Sequence, residues 1–105
     1  MRDRQPPTAT EGPLPRPDGE SIGQLIRRRR RDLGLSQSTL ARVLTEISGN
    51  SSITRERISE YEHEKYIPDD WLKDLGIVLH VSLDEMERAA LRAQFRRRHH
   101  RTAPK

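Results

Sequence analysis

From Ser21 onward, apolar residues recur at the three- and four-residue spacing of helices that bury one face. Ile22, Leu25, Ile26 and Leu33 form the first stripe, and Gly34 behind it is a helix stop. Ser36 is placed to cap a second helix carrying Leu40, Val43, Leu44 and Ile47 on its apolar face and ending near Ser48 or Gly49. Gly49, Asn50, Ser51 and Ser52 read as a loop. Thr54 then caps a short, highly charged third helix over 54–64, with Ile58 and Tyr61 turned inward and Pro68 barring its continuation. Asp69 or Asp70 starts a fourth helix through Trp71, Leu72, Leu75, Val78 and Leu79. Ser82 with Glu85 forms a capping box for a fifth, whose inner stripe is Leu83, Met86, Ala90 and Ala93. No segment alternates as a strand does, and no repeat is visible. The expected fold is all-α, a compact five-helix domain.

The residues before this pattern differ in kind. Residues 1–19 hold Pro6, Pro7, Pro13, Pro15 and Pro17 with Gly12 and Gly19, and only Leu14 as a large internal apolar residue, so a disordered N-terminal arm is expected. The division that follows is arm 1–19, helical domain 20–95 and tail 96–105.

At 105 residues and 31% hydrophobic, the chain supports one small core. It has too few large apolar residues to line a ligand cavity as well, so no effector-binding domain is expected. The absence of cysteine excludes disulfides, thiolate catalysis and cysteine-ligated zinc. No apolar run reaches the roughly 18 residues of a membrane span, and residues 1–20 lack a signal-peptide stretch, so a cytoplasmic location without membrane partners is expected.

The net charge of +4 is unevenly placed. Residues 1–19 are balanced, residues 20–95 hold twelve Lys and Arg against thirteen Asp and Glu, and residues 96–105 hold five cations and no acid. Within the domain, positive charge concentrates in Arg27 to Arg31, which predicts one basic strip and a basic C-terminal tail that suit a polyanion. No nucleophile beside a base, phosphate loop or metal-ligand cluster is present, so neither an enzyme nor a cofactor is expected. His99 and His100 are adjacent and would diverge by about 100° on a helix, which argues against a metal site. With aromatic residues at 4%, stacking platforms for RNA or single strands are not expected.

Several stretches together resemble the phage-repressor (Cro-type, XRE-like) helix-turn-helix family: Ile22 to Arg31, Gly34-Leu35-Ser36-Gln37, Leu40-Ala41, Ile53-Thr54, Ile58-Ser59, Glu62, Ile67-Pro68, and Leu75 through Val81. The resemblance covers about Ser21 to Met86. It implies a lambda-repressor-like arrangement and a sequence-specific double-stranded DNA-binding regulator, with the 54–64 helix in the major groove. Carried over from the family, Arg55 and Glu56, with Ser59 and Glu60 one turn later, are the base-reading positions. Arg55 can donate bidentately to guanine, and a glutamate can accept from cytosine. Gln37 and Ser36 at the start of the second helix are expected phosphate contacts, as are Arg57 and His63 of the third helix and Lys65 just after it. Arg30 and Glu62 correspond to a structural ion pair of the family. From their clustered charge, Arg96, Arg97 and Arg98 of the basic tail are expected to add non-specific phosphate contacts. A homodimer is expected, with Leu91 and Phe95 as its apolar patch.

The chain departs from the family pattern in three places. About seven extra residues lie between Ala41 and Ile58, Glu64 stands where a glycine is usual after the recognition helix, and Glu56, Glu60, Glu62 and Glu64 make that helix acidic. The acidic helix keeps a second reading open. On it, the same scaffold binds a regulatory protein partner, as an adaptor or antitoxin-type module would.

Overall fold

The computed structural model describes residues 19–102, with side chains through Arg97. The arm expected over 1–19 thus lies outside the described residues except for Gly19, as do the side chains of Arg98, His99 and His100. Five α-helices follow in order: α1 (Ile22–Asp32), α2 (Gln37–Ser48), α3 (Arg55–Glu62), α4 (Leu72–Leu79) and α5 (Leu83–Thr102). No strand occurs among the described residues. No described helix is long and apolar enough to cross a membrane.

The helix starts follow the hydroxyl caps in the sequence. Ser36 Oγ accepts from the Thr39 N–H at 3.0 Å, Thr54 Oγ1 from Arg57 at 3.2 Å, and Ser82 Oγ from Glu85 at 3.1 Å. At α1 the Ser21 N–H donates to Gln24 Oε1 at 3.1 Å, the Gln24 half of a capping box at that helix start. Gly34 and Gly49, both at φ 72°, reverse the chain behind α1 and α2.

One core joins all five helices. Ile22, Leu25 and Ile26 of α1, Leu40, Ala41 and Leu44 of α2, Ile58 and Tyr61 of α3, Leu72, Leu75 and Leu79 of α4, and Met86, Ala89, Ala90 and Ala93 of α5 are buried, with Ile53 closing the α2–α3 loop. Four details differ from the sequence expectation. Ile47 is exposed and Val43 only half-buried, although Leu40 and Leu44 on the same helix are fully covered. Leu83 is also exposed, and Ala89 takes its place in the α5 stripe. The third helix stops at Glu62 rather than Glu64. Asp69–Trp71 is a 3-10 turn, and the α-helix begins only at Leu72.

Two backbone contacts set how closely the helices approach. A Cβ on Gly23 would stand 2.3 Å from the Glu62 carbonyl oxygen, so glycine lets the start of α1 pack on the end of α3. A Cβ on Gly76 would come within 2.6 Å of the Val81 carbonyl oxygen. α5 continues unbroken past residue 95, so the basic residues from Arg96 to Arg101 extend a helix, about 30 Å long over its 20 residues.

Candidate nucleic-acid interface

The end of α3 is anchored through Glu62. Its side chain is 1% exposed and receives Arg30 in a fork, with Nε at 2.6 Å and Nη2 at 3.2 Å from the two carboxylate oxygens. Gln37 Nε2 donates to the same carboxylate at 3.1 Å, and Arg27 Nε lies 3.7 Å away. Arg30 also donates through Nη1 to the Leu35 carbonyl oxygen at 2.9 Å. One buried anion therefore ties α3 to α1, to the α1–α2 turn and to the first residue of α2. A buried carboxylate needs this degree of pairing, since its desolvation is otherwise uncompensated.

Around that anchor the Arg27–Arg31 strip divides by task. Arg28 pairs with Glu20 and Asp32, and Arg29 donates to the Leu79 carbonyl oxygen at 3.1 Å and pairs with Asp32. Arg27 and Arg31, one turn apart, line an open polar cleft with Arg30, Ser36, Gln37, Glu62 and His63. Among the described residues Arg31 makes no ion pair, so positive charge remains beside the α2 N-terminus, where the helix dipole adds to it.

Of the expected base-reading residues, Arg55 and Glu56 are exposed and Ser59 and Glu60 half-buried, on the side of α3 away from Ile58 and Tyr61. Arg55 reaches Glu56 at 3.3 Å, and Arg57 reaches Glu60 at 3.1 Å. The helix surface thus neutralises itself locally, though exposed pairs of this kind are weak and readily exchanged for another partner. His63 Nδ1 stands 2.9 Å from the Ser59 carbonyl oxygen. Arg57 is the more constrained cation, because its guanidinium also stands 5.1 Å from the Tyr66 ring centroid, with Lys65 Nζ at 6.0 Å. Tyr66 was not legible as a site residue. It lies nine positions from Arg57, and only the turn after α3 brings the two together.

Glu64 has a role that the sequence did not suggest. It sits at φ 60° in the turn where the Lys65 N–H bonds the Glu60 carbonyl at 2.8 Å and the Glu64 N–H bonds that of Tyr61 at 3.1 Å, a Schellman closure normally built on glycine. Its carboxylate accepts from the Gly23 N–H at 2.8 Å and from the Ser21 hydroxyl, capping α1. Arg96 Nη1 reaches the same Ser21 hydroxyl at 3.2 Å, and Arg92 Nη1 donates to the Glu20 carbonyl oxygen at 3.0 Å. Arg96 is therefore engaged with the α1 N-terminus rather than held out on an arm, while Arg97 is exposed.

Burial raises the pKa of the Tyr61 hydroxyl above its ordinary value, against the lowering effect of nearby Arg57. Leu91 and Phe95, one turn apart on α5, are exposed and lie off the buried Met86, Ala89 and Ala93 side. Comparison of the chain with family models, with curated proteins and with solved structures finds no match.

Proposed function

We propose that this protein is a sequence-specific double-stranded DNA-binding regulator of the Cro-type helix-turn-helix kind, built as a lambda-repressor-like domain and laying α3 in the major groove. The observation that carries this reading is the Arg30–Glu62–Gln37 cluster, which fixes α3 relative to α1 and the α2 N-terminus. A rigid frame of that kind suits a short helix that must meet base edges in register while its neighbours meet phosphates. Gln37 has a second amide N–H beyond the one given to Glu62, and Arg27, Arg31 and His63 surround it. These groups and the first turn of α2 receive one phosphate strand, and Arg57 and Lys65 receive the other. Arg55 reads a base edge, exchanging its exposed Glu56 partner for guanine. Arg97 and the basic turns after it add affinity without sequence preference.

Two copies bind a two-fold site, because one eight-residue helix reads only a few base pairs. The second copy docks on Leu91 and Phe95. α5 carries Asp84, Glu85 and Glu87 near its start and only basic charges from Arg96 on, so an antiparallel pairing sets acid against base at both ends. Sedimentation with a palindromic duplex tests this arrangement: two protomers per duplex are expected, and one protomer at saturation overturns the dimer.

A second reading has its own observation. The Arg55–Glu56 and Arg57–Glu60 pairs leave the exposed α3 surface nearly neutral, which suits a regulatory protein partner as an adaptor or antitoxin-type module. Retardation of genomic DNA fragments across a salt series separates the two. A specific complex with a steep salt dependence supports the DNA reading, and no retardation even at low salt overturns it in favour of a protein partner.

A further inference from the structure

We infer that Tyr66 is a positioning residue, holding Arg57 against a DNA phosphate on the strand that flanks α3 opposite the Gln37 cleft. This rests on the proposed DNA-binding function and assigns a part of it to a residue outside the helix-turn-helix pattern.

The geometry has three components. Arg57 belongs to α3, and its guanidinium is held from two directions, by Glu60 at 3.1 Å and by the face of Tyr66 at 5.1 Å. Tyr66 is itself 45% exposed, too open to serve as a core residue, and its ring is not needed to fill the interior. Lys65 Nζ stands 6.0 Å from the centroid of the same ring, so two cations gather about one exposed aromatic side chain at the edge of the helix. Opposite them, on the Glu62 side of α3, lie Arg27, Arg31 and Gln37. Between the two basic shoulders the outward α3 residues are Glu56, Ser59 and Glu60.

That distribution explains how an acidic helix can approach a polyanion. The locally paired helix face does not itself attract phosphate, while cations fixed along both edges do, and phosphates run along both edges of a groove. A long arginine left to itself would lose much of its rotamer freedom on contact, so a ring that fixes its direction beforehand lowers the cost of binding. Tyr66 acts through Arg57, and its hydroxyl is not the contact.

The test is a double-mutant cycle on duplex affinity, with the selected binding site and an unrelated duplex measured at several salt concentrations. R57A is expected to weaken both duplexes alike and to lower the salt slope by about 0.9, the loss of one phosphate. Y66A is expected to weaken binding about two- to fivefold, the affinity equivalent of an exposed cation–π contact, with the slope nearly kept because Arg57 remains. Y66F is expected to bind as the wild type does, and Y66A to cost clearly less on top of R57A than alone, the remainder being the Lys65 contact with the ring. The inference is overturned if Y66A binds as tightly as wild type, if Y66A costs the same with and without Arg57, or if Y66F is as weak as Y66A. Each of those results leaves the DNA-binding function standing. Wild-type protein that retains no duplex overturns the function itself, and this assignment with it.

Discussion

Glu64 caps α1 from a left-handed backbone position: its carboxylate accepts the Gly23 N–H at 2.8 Å while its own φ is 60°. The residue that closes α3 therefore also starts α1, although the two lie 41 positions apart. A side chain costs roughly 1–2 kcal/mol in that conformation, and hydrogen bonds to a charged group contribute roughly 1.5–3 kcal/mol each.

Replacing Glu64 by glycine tests which effect is larger. Glu64→Gly relieves the backbone but removes the bonds to Gly23 and Ser21, so a net loss of roughly 1–5 kcal/mol is expected in urea denaturation. A more stable variant would show that the strain exceeds the cap.

Gly23→Ala separates helix propensity from packing. Alanine is better than glycine in a helix by about 1 kcal/mol. Its Cβ, however, would stand 2.3 Å from the Glu62 carbonyl oxygen, a contact that only backbone movement can relieve. Destabilisation of roughly 1–3 kcal/mol is expected, read as a lowered thermal midpoint, and an unchanged or raised midpoint would refute the close approach of α1 and α3.

Glu62→Ala leaves Arg30 half of a buried pair, and Arg30→Ala leaves Glu62 so. Each is expected to cost roughly 3–5 kcal/mol, with the double variant costing far less than the sum because neither then strands a charge. Strict additivity in equilibrium unfolding would mean that the two groups act independently.

The alkaline limb of stability carries the Tyr61 signature. Since the folded protein holds the Tyr61 proton more tightly than the unfolded chain, stability is full below the ordinary tyrosine pKa of about 10 and falls as pH rises through it. Tyr61→Phe removes that contribution, so its stability should decline less between about pH 9 and 11 than that of the wild type. Parallel declines would assign the limb to other groups.

Arg55→Ala is expected to weaken specific duplex binding by roughly 1–3 kcal/mol and to relax preference at one base pair. A variant with full affinity and unchanged preference, measured by selection from random duplexes, would remove Arg55 from the base-reading set.

Much of the fold is written in local pattern. Ser36, Thr54 and Ser82 begin helices because a hydroxyl can satisfy an amide three residues on, and Gly34 and Gly49 end them because a left-handed residue is cheapest without a Cβ. The spacing of Ile22, Leu25 and Ile26, or of Leu72, Leu75 and Leu79, marks the buried stripes for the same local reason. The alignment of Arg30 with Glu62 also named a pair that the structure forms. Burial at helix ends is different, since it depends on what another segment covers. Ile47 and Leu83 fit an apolar period yet stand exposed, whereas Ala89 and Ile53 are covered by neighbours distant in sequence. The same holds for the charges. Five consecutive arginines look equivalent in sequence, but packing gives Arg28 the carboxylate of Glu20, Arg29 the Leu79 carbonyl and Arg30, with Arg27 near it, the Glu62 carboxylate, and leaves Arg31 at the cleft without an ion pair among the described residues. Glu64 and Tyr66 acquire their partners only when the turn after α3 sets them beside α1 and Arg57. Caps and periodicity act over three or four residues and can be read from a string, whereas the partner of a long polar side chain is chosen by whichever distant backbone folds within its reach.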